Sequence, residues 1–271
     1  MKIRDMKKVL SIAGSDCSGG AGIQADLKTM CCLGVYGMSA ITSMTAQNTV
    51  GVTAIQDATP GFLAAQLDSV FSDIIPDAVK TGMLSNAELV SCTADKLKEY
   101  GARKIVVDPV MVSTSGSRLL SEEAVTAAEC ELLPMATLIT PNLPEAEVLS
   151  GLKITGKADM EKAALLLSDK YGSAVLVKGG HLEGAASDVL AESGQLAWFR
   201  SQRIDSHNTH GTGCTLSSAI ACYLARGEKL ESAVELAREY LQRALAAGLD
   251  LGRGHGPLAH NYMLISEEDH I

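Results

Sequence analysis

Residues 7–34, KKVLSIAGSDCSGGAGIQADLKTMCCLG, decide the fold class. KKVLSIAG reads as a buried strand, because its apolar run is short and lies between charged residues and a glycine-rich loop. GIQADLKTMCCLG reads as a helix, with Ile23, Leu27, Met30 and Cys31 on one face and Gly34 as the stop. Strand, glycine loop and helix together form half of a βαβ unit. The same rhythm recurs through most of the chain.

Strand-like runs are expected at 35–47, 78–84, 104–111, 137–142 and 173–181. Helical patterns over 60–74, 86–101, 121–134 and 160–172 separate them. Residues 187–204 depart from this order, with two alternating runs around Ser193-Gly194 that read as a hairpin. Two long helices, 212–226 and about 229–247, close the pattern. The expectation is a single α/β domain over 1–271, with a mostly parallel central sheet, helices on both faces and a small β-hairpin.

Composition narrows the function. Hydrophobic residues make up 46% of the chain and charged residues 20%, which allows a sizeable core. A net charge of −9 and the lack of a basic run argue against nucleic acid or an anionic membrane as partner. The seven cysteines form no C-x-x-C pair, and the apolar run near residue 9 is too short for a secretion signal or a span. A soluble protein of a reducing cytoplasm is the plain reading.

In such a sheet, ligands bind beyond the carboxyl ends of the strands. The unusual polar residues collect there: GSDCSGG, TAQN, KTGM, DPVM, TPNLPE and KGGH each follow a strand. Six such endings in register imply one crevice. Gly20-Ala21-Gly22-Ile23-Gln24-Ala25 matches a dinucleotide-binding G-x-G-x-x-A, which would mean a nicotinamide-dependent oxidoreductase. The second strand, however, ends in Gln47-Asn48 and lacks the acid that would hold a ribose. Asp26 is expected on the polar side of the first helix, as a solvated carboxylate. The Gln47 amide both donates and accepts, so it suits a heteroaromatic ring with adjacent acceptor and donor atoms.

Asn142 and Glu145 either cap a helix that starts near Pro144 or organise Mg²⁺ through its waters. Lys178 follows an apolar strand and could meet a phosphate. Gly211, Thr212 and Gly213 open the helix that begins near 212, where converging N–H groups favour an anion. No Walker A loop occurs. Cys214 is either a buried core thiol or a reactive one, and a peptidase pairing with His207 or His210 carries no recognised spacing.

Taken in order, IAGSDCSGGAGIQADLKT, TAQNTVGV, AAQLDSVFSD, KTGML, DPVM, LITPNLPEA, KGGH and NTHGTGCTLS resemble the ribokinase superfamily. Within it they resemble the hydroxymethylpyrimidine and phosphomethylpyrimidine kinases of thiamine biosynthesis, in the branch shared with pyridoxal kinases. The resemblance covers nearly the whole chain. It implies ATP- and Mg²⁺-dependent phosphorylation of a hydroxymethyl aminopyrimidine and then of its monophosphate, by a homodimer. Pyridoxal kinase activity is the alternative within the branch, and a noncatalytic vitamin-binding homologue the third.

Residue by residue, the resemblance implies that Gln47 and Asp26 hydrogen-bond the pyrimidine, with Gly14, Ala21, Met83 and Val110 lining its pocket. Asn142 and Glu145 would place Mg²⁺ and the phosphates, with Thr140 and Lys178 nearby. Gly211, Thr212, Gly213 and Cys214 would form the anion hole. Where sugar kinases of the superfamily carry an aspartate base, this chain carries Cys214. A helix N-terminus lowers a thiol's pKa, so a thiolate base is the expectation. The glycines near 114–118 and 180–184 are candidate flaps over the site.

Overall fold

The computed structural model describes residues 5–111, 120–180, 186–201 and 204–264. The candidate flap at 114–118, and all of that at 180–184 except Gly180, lie outside the described residues. Nine strands form one sheet: β1 Lys8–Asp16, β2 Tyr36–Gln47, β3 Val52–Asp57, β4 Ala78–Thr81, β5 Ile105–Val107, β6 Leu138–Ile139, β7 Ala174–Lys178, β8 Ala186–Glu192 and β9 Gln195–Ser201. Their spatial order is β3-β2-β1-β4-β5-β6-β7-β8-β9. The six strands β2, β1, β4, β5, β6 and β7 run parallel, as expected from the strand-end motifs, and the three pairings that involve β3, β8 and β9 are antiparallel.

The helices are α1 Gly22–Cys32, α2 Pro60–Phe71, α3 Ala87–Glu99, α4 Glu122–Ala127, α5 Leu143–Ser150, α6 Lys157–Tyr171, α7 Thr212–Arg226 and α8 Leu230–Ala246. The parallel strands send alternate side chains to opposite cores. Leu10, Ile12, Ile105, Val107, Val175 and Val177 join the α2–α6 side, whereas Val9, Val106 and Leu176 join the α1, α7 and α8 side. Burial on both faces explains why these strands are continuous apolar runs in the sequence. The chain therefore has the ribokinase-like α/β architecture that the resemblance implies.

Two elements differ from the sequence expectation. β3 is an edge strand that returns antiparallel to β2, and five of its six residues are exposed. With no buried face, it shows no apolar alternation to read. The helix expected over 121–134 stops at Ala127, widens into a π turn at Ala128–Leu132 and tightens at Leu133–Met135. Pro134 has no N–H to return to the carbonyl four residues back, so a regular α-helix cannot run through it. No helix among the described residues is long and apolar enough to cross a membrane.

Candidate active site

Two glycine-bearing loops meet at the carboxyl edge of the sheet. The first follows β1 and is folded around Asp16. Oδ1 of Asp16 accepts from the Ser18 N–H and hydroxyl, and Oδ2 from the N–H groups of Gly20 and Ala21. His210, from the second loop, approaches the same Oδ2 at 2.8 Å. Burial opposes ionisation of Asp16, yet the bonds from His210 and Ser18 outweigh it and lower the carboxyl to about 2.

The contact between the loops leaves no room for side chains. A Cβ on Gly211 would run into the Gly20 carbonyl oxygen, and the residue sits at φ +83°. Only glycine satisfies both demands without strain. Gly211 caps α7, so the backbone of Thr212, Gly213 and Cys214 opens the helix at the crevice.

Toward β5, β6 and β7 the α7 mouth faces a charged cluster. A Cβ on Gly213 would lie 3.4 Å from both Asp108 Oδ2 and Lys178 Nζ. Lys178 Nζ is 2.9 Å from Asp108 Oδ1, which also accepts from the Thr140 hydroxyl at 3.2 Å. Asp108 is 3% exposed, so this pair is largely withdrawn from water. Burial opposes the charge on Lys178, but Asp108 and then Glu145 hold its pKa above the ordinary value. Glu145 is pushed up by burial and by Asp108, against Lys178 and the N–H groups of Asn142 and Met111.

Asn142 and Glu145 form a complete capping box at the start of α5. Their alternatives therefore resolve unequally. The side-chain carbonyl of Asn142 is engaged as the cap, whereas Glu145 also faces the Asp108–Lys178 pair. Thr140 is fully buried and spends its hydroxyl on Asp108. Asp108 and Glu145, both buried and set against Lys178, are carboxylates of the kind that suits Mg²⁺, which keeps several waters and takes few direct protein ligands.

At the other end of the crevice lie Gly14, Ala21, Gln47 and Met83. A Cβ on Gly14 would be 3.3 Å from Met83 Sδ. The Gln47 amide lies between Thr45 Oγ1 at 3.0 Å and His210 Nε2 at 3.3 Å. Val110 follows β5 at φ +35°, a conformation that a β-branched residue adopts only under strain. Strain of this kind concentrates at ligand-binding positions.

Two sequence expectations need correction. Asp26 is not on a solvated helix face: it is fully buried and turned toward β4. Both its oxygens meet Lys80 Nζ, at 2.8 and 3.1 Å, and the hydroxyls of Ser11 and Ser218 complete its shell. Both oxygens are thus held by side chains of β1, β4 and α7. The Cys214 thiol is not lowered as the helix terminus alone would lead one to expect. Burial pushes its thiol up to about 11; Lys80 and the Gly22 N–H favour the anion, but Asp26 and Asp108 disfavour it. The side chain is half-buried, and that burial outweighs the helix terminus.

The sequence reading missed Asp16, Lys80, Asp108 and the structural role of His210. Asp16 and Asp108 carried a legible signal, an acid at a strand end. Lys80 carried another, a single charge inside the apolar strand AVKT.

The family model for phosphomethylpyrimidine kinase matches residues 16–259. A hydroxymethylpyrimidine/phosphomethylpyrimidine kinase of Rhizobium meliloti is 51% identical over 93% of this chain and 96% of its own length. The thiamine biosynthesis bifunctional protein ThiED of Geobacter sulfurreducens is 50% identical over 96% of this chain, which spans only 53% of that larger protein. Among solved structures, the phosphomethylpyrimidine kinase of Clostridium difficile 630 is 45% identical, with a TM-score of 0.79 over 88% of this chain and 99% of that one. A pyridoxal kinase of Bacillus subtilis in an ADP complex is 36% identical, with a TM-score of 0.88 over 96% and 99% of the two chains. With its motifs placed on the same sheet edge and its sequence matched over most of its length, the chain belongs to the phosphomethylpyrimidine kinase family.

Proposed function

We propose that this chain is a single-domain kinase that uses ATP with Mg²⁺ to phosphorylate a hydroxymethyl aminopyrimidine at its primary alcohol, and then phosphorylates the monophosphate. The observation that carries this reading is the position of the α7 mouth. It meets the Asp108–Lys178 pair on one side and the Gly14–Gln47–Met83 end of the crevice on the other. A phosphoryl group between the two would lie over backbone donors at a helix terminus, where charge is stabilised without reorganisation.

In this reading Gln47 faces the ring, and Gly14, Ala21, Met83 and Val110 shape its pocket. Lys178 meets the nucleotide phosphates, and Thr140 holds the Asp108 carboxylate in place for them. Asp108 and Glu145 would hold the nucleotide's Mg²⁺ through its waters, with Asn142 fixing the Glu145 backbone. The ion supplies charge neutralisation on the phosphates when bound. Gly211, Thr212 and Gly213 offer N–H groups to the transferring phosphoryl oxygens, and Cys214 takes the alcohol proton. Asp26 and Lys80 support Cys214 from below.

Relatives named for pyrimidine kinases reach 44–51% identity, against 36% for the pyridoxal kinases among the solved structures, which favours the pyrimidine. A coupled ATP assay with the hydroxymethyl pyrimidine, its monophosphate and pyridoxal is the test. Turnover of both pyrimidines with the higher kcat/KM on the alcohol pyrimidine than on pyridoxal is expected. The reverse preference would assign a pyridoxal kinase.

The β3 edge supports a homodimer. β3 pairs β2 only over Ser43–Gln47, and Tyr36, 50% exposed, lies on the stretch of β2 that β3 leaves open. Sedimentation equilibrium at micromolar concentration should give twice the 28.4 kDa chain mass. A monomer there would remove the dimer from this reading.

A further inference from the structure

The segment that follows α8 returns to the crevice and touches both of its glycine-bearing loops. The Gly254 N–H reaches the hydroxyl of Thr49, two residues beyond Gln47, at 3.2 Å. Gly256 exchanges backbone bonds with the loop before α7: its carbonyl accepts from His210 at 3.0 Å, and its N–H reaches the His207 carbonyl at 3.2 Å. Pro257 packs on Gly20 in the loop around Asp16. The segment then turns inward and ends on His260, which is 2% exposed. The His260 carbonyl accepts from the Tyr240 hydroxyl of α8 at 2.7 Å, so the backbone at this point is pinned.

The imidazole of His260 points at the mouth of α7. Its Nε2 lies 2.9 Å from Oγ1 of Thr215, which is fully buried in the first turn, next to Cys214. A hydroxyl both donates and accepts, so this bond stands in either tautomer of the ring. A buried helix threonine with no outside partner turns its hydroxyl to the carbonyl four residues back, which bends the helix. For Thr215 that carbonyl belongs to Gly211, the cap of the mouth, and it already accepts the Thr215 N–H at 2.8 Å. Ser217, two residues on, does return its hydroxyl to the Gly213 and Cys214 carbonyls. His260 draws the Thr215 hydroxyl outward instead.

We propose that His260 is a positioning residue for phosphoryl transfer: held by α8 and the returning segment, it fixes the first turn of α7 through Thr215, and with it the N–H groups of residues 212–214. This rests on the kinase reading above. Both transfers pass over that mouth, whereas the Cys214 base serves the first alone. Loss of His260 therefore slows both.

The test uses single turnovers with the alcohol and with the monophosphate, at a temperature where each variant is folded. His260→Leu should slow both transfers about tenfold, the worth of one buried hydrogen bond, with the KM values for pyrimidine and ATP within about threefold of wild type. His260→Gln, which offers an amide to the same hydroxyl, should recover most of the rate. Thr215→Val should match His260→Leu, and the double variant should be little slower than either, because both changes remove one bond. Unchanged rates in His260→Leu overturn the proposal, as do a fall confined to the first transfer, a parallel rise of both KM values, or losses that multiply in the double variant. If His260→Leu does not fold, Thr215→Val decides, with the same slowing of both transfers expected and unchanged rates overturning the assignment.

A second readout needs no substrate. In free protein labelled with ¹⁵N-cysteine, the backbone amide resonance of Cys214, identified by its loss in Cys214→Ser, should shift on Thr215→Val and on His260→Leu and return toward its place in His260→Gln. An unmoved resonance overturns the proposal. Failure of the wild-type protein to phosphorylate the pyrimidine would instead count against the kinase reading, and the Cys214 resonance would still decide whether His260 sets the mouth of α7.

Discussion

Cys214→Ala is expected to slow the first phosphoryl transfer by about 10²–10⁴-fold, the usual contribution of a positioned general base. The second transfer should lose less than about tenfold, because its acceptor is a phosphate that already carries a negative charge. Rapid-quench single turnovers with the alcohol and with the monophosphate separate the two steps.

The structure adds a pH signature. The thiol is pushed up to about 11, so only about one molecule in 10⁴ is a thiolate at pH 7. The active form is the deprotonated one, and its population grows tenfold for each pH unit below that pKa. The first-transfer rate should therefore rise about tenfold per unit from pH 7 to pH 9, while the second stays nearly flat. Cys214→Asp should flatten the first profile, since a carboxylate beside Lys80 is ionised over that range. If Cys214→Ala retains near-wild-type rates and the same pH dependence, Cys214 is not the base.

How far the sequence reached depends on what each feature requires of its neighbours. The parallel strands were legible because burial on both faces forces continuous apolar runs such as those around Leu10, Val106 and Leu176. The hairpin at Ser193-Gly194 was legible for the opposite reason, its alternation around a turn. β3 was not, because an exposed edge strand imposes no pattern. At the site, the anion-binding backbone at Gly211–Gly213 could be read from glycine spacing alone. The states of Asp26 and Cys214 could not. Each depends on Lys80, which arrives from a strand more than fifty residues away from Asp26 in the chain and buries its ammonium between them. Local sequence favours a solvated Asp26 and a helix-activated thiol; the contact with Lys80 overturns the first, and burial, working against Lys80, overturns the second. Glu145 shows an intermediate case: its capping role is local and legible, and its proximity to Asp108 and Lys178 is not.

Lys80→Met is the corresponding stability test, and its expected cost is large. Lys80 and Asp26 are both fully buried, with Nζ 2.8 Å from the carboxylate. Their attraction offsets the loss of hydration only while both are present. Removing one partner leaves a buried charge, which costs about 3–5 kcal/mol. For a chain of this size, that corresponds to a fall in Tm of about 6–20 °C by calorimetry. The double variant Asp26→Asn with Lys80→Met should recover part of this loss, because no uncompensated charge remains and Ser11 and Ser218 can still bond the amide. The ammonium also opposes the rise in the Cys214 thiol. Lys80→Met should therefore depress the first transfer at pH 8 more than the second, measured at a temperature where the variant is folded. A single variant that loses less than about 1 kcal/mol would mean that water reaches the pair, and with it the claim that a dehydrated floor sets the chemistry of Cys214 would fail.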